Sequence, residues 1–193
     1  MKRAAWVVLV VVCAVVGARA QAPEGWRMRI DRSTSASDPD APGSVSLVRT
    51  ATGLHATTPQ AAVFWHPSNQ ASGRYAVKGA FTLVKPSGHT NYYGIVFGGK
   101  GLEGGSQAYL YFMVAQDGTF LIKRRVGDAV AEDVHPKTPH AAVKRPDATG
   151  TSTNTLEVRV LENTVDYVVN GVTVHTTPRT GVTAATDGLY GVR

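Results

Sequence analysis

Two pairs of carboxylates, Glu132 with Asp133 and Glu157 with Glu162, are the residues best placed in this chain to work as a general acid and base. Hydrolysis by such a pair needs carboxyl groups about 5 to 10 Å apart across a cleft. Adjacent strand residues point to opposite faces, which separates Glu132 from Asp133. Glu162 falls in a predicted turn and Glu157 at a solvent-facing strand position, so both pairs read as solvated surface groups. The six histidines raise metal binding, and His135 to His140, with Pro136 and Pro139 between them, is the densest cluster. No His-Glu-x-x-His or paired-cysteine spacing accompanies it, so the cluster reads as a surface loop and no metal or cofactor is expected. Calcium at loop carboxylates such as Asp38, Asp40 and Asp187 stays open, because oxygen ligands scattered along a chain leave no readable spacing. No serine lies in Gly-x-Ser-x-Gly, and no triad is assigned. Gly99-Lys100-Gly101-Leu102-Glu103-Gly104 matches the dinucleotide fingerprint literally, but a strand follows where a phosphate-capping helix is required, so the string reads as an inter-strand loop.

Binding chemistry is better represented, and it depends on register. A three-residue loop, Gln116-Asp117-Gly118 with Gly118 in the left-handed conformation, aligns Leu110, Phe112 and Val114 with Arg124, Ile122 and Phe120. The opposite face then carries Tyr111 beside Lys123 and Tyr109 beside Arg125. That stripe is the candidate ligand surface, extended by Trp65, His66 and Tyr92, because aromatic rings beside hydrogen-bond donors suit sugar faces and hydroxyls. A second constellation lies on a predicted meander over residues 156–175. The turn Glu162-Asn163 pairs Leu156, Val158 and Val160 with Val169, Tyr167 and Val165. Asn170-Gly171, suited to a type I′ turn, sets Val169 and Tyr167 opposite Val172 and Val174. On the polar face this puts Arg159, Asp166 and His175 in a row.

The elements that position these residues are all strands. Predicted strands cover 26–30, 44–49, 54–57, 62–66, 74–84, 93–97, 108–115 and 119–126, then the meander, then 188–192. Loops rich in Gly, Pro, Ser, Thr or Asp are expected at 33–43, 86–91, 98–107 and 135–154. About ten strands without a sustained 3.6-residue pattern predict an all-β, two-sheet antiparallel sandwich. Residues 1–20 read as a signal peptide: Lys2 and Arg3, an apolar run from Ala4 to Val16, and Ala18-Arg19-Ala20 as a cleavage site. Export to a secreted or periplasmic location follows, with a single domain over 21–193 and no membrane span after cleavage. Cleavage removes Cys13, the only cysteine, so the domain is expected to stand on its core without disulfides. It also removes Lys2, Arg3 and Arg19, leaving 17 basic against 14 acidic residues and a net charge of +3 in place of +6. A balance that mild gives no reason to expect a nucleic-acid partner.

Tyr92-Tyr93-Gly94-Ile95-Val96-Phe97, the hairpin over 109–125, Asn154-Thr155-Leu156-Glu157-Val158, Val169-Asn170-Gly171 and Asp187-Gly188-Leu189-Tyr190-Gly191-Val192-Arg193 follow one another in the order seen in concanavalin A-like domains. Over 62–193 the chain looks most like the secreted bacterial set that includes the 3-keto-disaccharide hydrolase domains. The resemblance implies a jelly-roll sandwich whose concave sheet meets oligo- or polysaccharide. Enzymatic relatives carry acidic residues along the strand matching 108–115, whereas this chain has no carboxylate between Ser106 and Gln116. The Glu-x-Asp-x-x-Glu spacing of the glucanases is also absent. The expected function is therefore a carbohydrate-binding or adhesion-like domain; the alternatives are a glycoside-acting hydrolase or lyase of the resembling type and a structural envelope module. In the resembling domains a further strand follows the point matched by Arg193 and completes the sheet beside the N-terminal strand. Its lack here is expected to leave the edge at 26–30 open to pairing with another chain, or frayed.

Overall fold

The computed structural model describes residues 22–31, 41–86, 88–90, 92–128 and 130–193. The signal peptide expected at 1–20, with Cys13, lies outside them, as do Asp38 and Asp40. Thirteen strands are described: β1 (Arg27–Ile30), β2 (Ser46–Thr50), β3 (Gly53–Thr57), β4 (Ala62–Ala71), β5 (Tyr75–Leu83), β6 (Tyr92–Lys100), β7 (Ala108–Ala115), β8 (Thr119–Val126), β9 (Val130–Pro139), β10 (Ser152–Val160), β11 (Thr164–Val169), β12 (Val172–Pro178) and β13 (Gly188–Val192). The only helical turn among the described residues is the 3-10 turn Gly181–Thr183. The strands form a seven-stranded sheet in the order β1-β4-β13-β6-β7-β8-β9, a four-stranded sheet β12-β11-β10-β5, and the hairpin β2-β3. Every pairing is antiparallel. The expected all-β sandwich is therefore the observed class.

Alternation along the strands builds the core. On β10 the even-numbered residues Ser152 to Val160 are buried while their neighbours are not. Leu156, Val158 and Val160 meet Val165, Tyr167 and Val169 of β11 and, across the sandwich, Ile95, Phe97, Leu110, Phe112 and Ile122. Tyr167 is fully buried, its ring centroid 5.3 Å from that of Phe112 in an edge contact. The small sheet thus covers the inner face of β6 to β8. Leu47 of the β2-β3 hairpin closes the β4 end against Ala62 and Phe64.

Both predicted turns are present. Val160 pairs with Val165, and Leu161 donates its N–H to Thr164 at 2.9 Å. Asn170 and Gly171 both have positive φ, 51° and 85°, as a type I′ turn requires. Asn170 also ties the turn down, accepting from the Thr155 N–H at 2.9 Å and donating to the Ala142 carbonyl at 2.7 Å. Its other partner is Asn154. That side chain is fully buried and satisfied on both ends: it donates to Tyr93 Oη and the Lys144 carbonyl and accepts from the Lys144 N–H and Asn170. Asn154→Ala would strand several of these buried groups and should cost about 1 to 3 kcal/mol in a urea melt; a loss under 0.5 kcal/mol would show that water replaces the amide.

Two expectations need correction. The loop expected at 135–154 is present over 140–151, but β9 carries strand pairing through Pro136 to Pro139 and β10 begins at Ser152. β9 can do so because it is the edge of the large sheet, where a missing N–H breaks no ladder on the open side. Tyr167 pairs with His175 and not with Val174, because a bulge between Tyr167 and Val168 puts one extra residue into β12. The edge expected at 26–30 is present: β1 ends the large sheet, paired to β4 along all four of its residues and open on its far side, while β13 lies between β4 and β6.

Candidate functional site on the outer face of the large sheet

The hairpin β7-β8 has the register expected from its loop: Tyr109 opposite Arg125, Tyr111 opposite Lys123 and Phe112 opposite Ile122, with Gly118 at φ 82°. The tyrosines therefore project away from the inter-sheet core. They do not form an exposed stripe. Tyr109 retains 2% of its accessible surface, Tyr111 4%, Trp65 1% and Arg125 9%. With Val63, Val96, Leu102, Met113 and Leu121 the three aromatic residues make a second buried apolar cluster on the outer face. Alternation along β7 and β8 puts Tyr109, Tyr111 and Arg125 on this face, and burial there comes from what packs over it. His66 does not join them. It sits where β4 carries three more residues than β13 between Trp65 and Gln70, its Nδ1 2.6 Å from Ser68 Oγ and its ring edge-on to Trp26 at 6.2 Å.

A charged cluster, which the sequence reading missed, borders this aromatic floor. Asp31 follows β1, and its carboxylate has no accessible surface. It accepts hydrogen bonds from Arg29 Nε at 2.9 Å, the Tyr109 hydroxyl and Arg193 Nη1, with Arg125 Nε 3.8 Å away. Burial alone would raise this carboxyl group, but Arg193, the Tyr109 hydroxyl, Arg125 and Arg29 outweigh it and hold it below the usual range. The Tyr109 phenol is pushed up, first by burial, and stays a hydrogen-bond donor. The Arg193 guanidinium lies over both rings, 4.9 Å from the Tyr111 centroid and 5.9 Å from that of Tyr109. Arg29 also reaches the Gly104 carbonyl at 2.6 Å and the carboxylate of Asp128. One signal for half of this cluster was legible: Arg27, Arg29 and Asp31 alternate with Met28 and Ile30, so a strand puts all three charges on one face.

The accessible part of the outer face is its margin on β6, β8 and β9. Half-buried Tyr92 has Lys137 Nζ 5.9 Å from its ring centroid and its hydroxyl 3.4 Å from Thr119 Oγ1. That lysine is paired with Asp117 at 2.6 Å, and a second pair on the same face, Lys123 with Asp133 at 3.0 Å, lies four residues along β8 from Thr119. Slight burial would raise Asp117, but Lys137 and the Thr119 hydroxyl and N–H prevail and hold it below its usual value. Of the seven candidate ligand residues, then, Tyr92 and Lys123 stand at an accessible margin. Tyr109, Tyr111, Trp65 and Arg125 lie beneath it, and His66 lies apart.

The other constellations resolve as follows. Arg159 does stand opposite Asp166, but it grips Glu157 two residues away on its own strand, at 2.6 and 3.1 Å. His175 leaves the polar row, and Thr176 takes its place, donating to Asp166 at 2.8 Å. Glu132 pairs with Arg124 at 3.6 Å, and Asp133 faces the other way, as alternation requires. Asp187 is bound by Arg179 at 2.9 Å beside a cavity of about 360 Å³ lined by Gln70, Ala71, Ser72 and Gly188. Among the described residues, no three His, Cys, Asp or Glu side chains converge as a metal site. No described helix is long and apolar enough to cross a membrane.

No family model and no curated protein matches the chain. Several solved structures are similar to it. One is sheep galectin-11 in complex with glycerol, 21% identical, covering 64% of this chain and 84% of that one, with a TM-score of 0.47. Another is the laminarinase catalytic domain from Thermotoga maritima in complex with cetyltrimethylammonium bromide, 11% identical, covering 88% and 79%, also with a TM-score of 0.47. The class of this protein, a two-sheet antiparallel β-sandwich, rests on its own strand order and register.

Proposed function

We propose that this chain is an exported, non-catalytic saccharide-binding domain, and that the sugar lies along the Tyr92 margin of the large sheet's outer face. The observation that carries the reading is Tyr92 beside the Lys137–Asp117 pair, an aromatic ring with a donor and an acceptor fixed next to it, on the same face as the Lys123–Asp133 pair. The aromatic floor of Tyr109, Tyr111 and Trp65 supports that margin from below without touching ligand. Binding is favoured over hydrolysis because the carboxylates placed on this face, Asp31, Asp117 and Asp133, are engaged by cations, and a general acid must keep its proton near neutral pH. The concanavalin A-like resemblance over 62–193 and the signal-like residues 1–20 agree with a glycan ligand met outside the cytoplasm.

Glycan-array binding followed by calorimetry tests this. Tyr92→Ala and Lys123→Ala should each weaken the best saccharide by about 1 to 2 kcal/mol, a factor of roughly 5 to 30. Glu157→Gln, on the other sheet, should leave affinity unchanged. Unaltered binding in the Tyr92 and Lys123 variants removes the margin from consideration. Product release from 3-keto-disaccharides or other disaccharides would instead establish a hydrolase or lyase of the resembling family, and silence in both assays a structural envelope module.

A further inference from the structure

Two histidines separated by forty residues of chain meet at the open side of the sandwich, and a bulge aims each of them. On β9, Ile122 pairs with His135 while the next residue of β8, Lys123, pairs with Asp133, so Val134 is extra and His135 turns to the inner face. On β12, Val174 is extra, and His175 turns inward opposite Tyr167. Because β9 and β12 are edge strands of the two sheets, the imidazoles bridge the layers at their rim, with centroids 4.0 Å apart and planes inclined by 35°. His135 also stacks on Phe120 at 5.0 Å, with planes 5° apart. Its Nε2 is buried and has no hydrogen-bond partner among the described residues.

We propose that His135 and His175 form an acid-released latch: as neutral rings they hold the β9 and β12 edges together, and protonation parts them. The contact requires neutrality. Two imidazolium ions at this distance repel, and a protonated His135 Nε2 would be a buried charged donor without an acceptor. No nearby anion offsets this among the described residues. On β9 and β8, Glu132 is held by Arg124, Asp133 by Lys123 and Asp117 by Lys137. On the small sheet, Asp166 is engaged by Thr176 and Glu157 by Arg159. The remaining groups packed on the pair are aromatic: Phe120, which also contacts His140 at 6.1 Å, and Tyr167, 6.3 Å from His175. Burial lowers both histidines from 6.5, and His135 lowers His175 further.

The sign follows from that depression. Above the ordinary histidine value of about 6.5 both rings are neutral in folded and unfolded chains, and the latch is closed. Below it the unfolded chain binds more protons, so stability falls with pH until the folded rings are themselves protonated. Acidification should therefore open the Phe120–Tyr167 side of the core first. The inference does not depend on the saccharide reading, since the latch lies between the sheets and the margin on the outer face.

Proton NMR titration of the intact protein, with amide exchange at pH 7 and pH 5 corrected for intrinsic rates, tests it. Both imidazoles should titrate below 6.5, and β9 and β12 should lose protection ahead of β6 and β10. The loss should be tenfold for each unit of depression. His175→Phe retains a ring at the contact without its proton site and should flatten the exchange difference. Midpoints at or above 6.5, or the same acid loss in wild type and His175→Phe, would overturn the proposal. The wild-type titration decides even where the variant fails to fold.

Discussion

Asp31→Asn should cost about 3 to 5 kcal/mol of stability, the scale on which breaking one partner out of a buried ion cluster is felt. The substitution is nearly isosteric, so the loss would come from charge and not from volume. It leaves the Arg193 and Arg29 guanidiniums without the carboxylate that neutralises them and turns the Tyr109 hydroxyl from a charge-assisted donor into an ordinary one. Urea denaturation measures it directly, and a change under 1 kcal/mol would mean that Asp128 or water takes over the arginines. The same carboxylate gives a pH signature distinct from that of the histidines. Its folded-state value is depressed, so its contribution is complete above the unfolded value of about 3.9 and disappears as pH falls through the folded one. Acid should thus act on this protein in two stages, at the histidine pair first and at Asp31 last.

Tyr167→Ala should be comparably severe, at about 3 to 5 kcal/mol, through a different mechanism. The ring is fully buried between Phe97 and Phe112, with centroid separations of 6.3 and 5.3 Å, and its removal leaves a cavity at the centre of the inter-sheet core. Tyr167→Phe is the control. The hydroxyl makes only a long contact, 3.4 Å to Thr177 Oγ1, so losing it should cost less than about 1 kcal/mol. Equal effects from the two variants would place the energy in the hydroxyl and contradict the packing account.

What the sequence made legible was local pairing. The period-2 pattern and the turn residues specify the register of β7-β8 and of β10-β11, because a one-residue slip would carry Phe112 or Tyr167 out of the core. The parts that were not legible share one physical cause: they depend on what lies beyond the hairpin. Tyr109 and Tyr111 were placed on the right face, but whether that face is open depends on Arg193, Arg29 and Leu102, which reach it from distant segments. His175 was assigned to the wrong face because a bulge leaves no mark in an alternating run such as Val172-Thr173-Val174-His175. The end of β9 falls in a segment whose proline content predicts a loop, and the edge position that tolerates those prolines is a property of sheet order. The carboxylates were the simplest case, since alternation along β9 was enough to separate Glu132 from Asp133.

The position of β13 governs the order in which this fold can be completed. β4 and β6 are joined in the large sheet through a strand drawn from residues 188–192, and Asp31 is neutralised by a residue 162 positions away. Until those last residues are available, the β1-β4 pair and the β6-to-β9 block have no ladder between them, and a chain emerging from the ribosome holds two unfinished half-sheets. Such non-local closure is slow, because the long loop must be ordered before its contacts repay the entropy. Closure of the large sheet therefore waits on residues 188–192, whichever of the two blocks forms first.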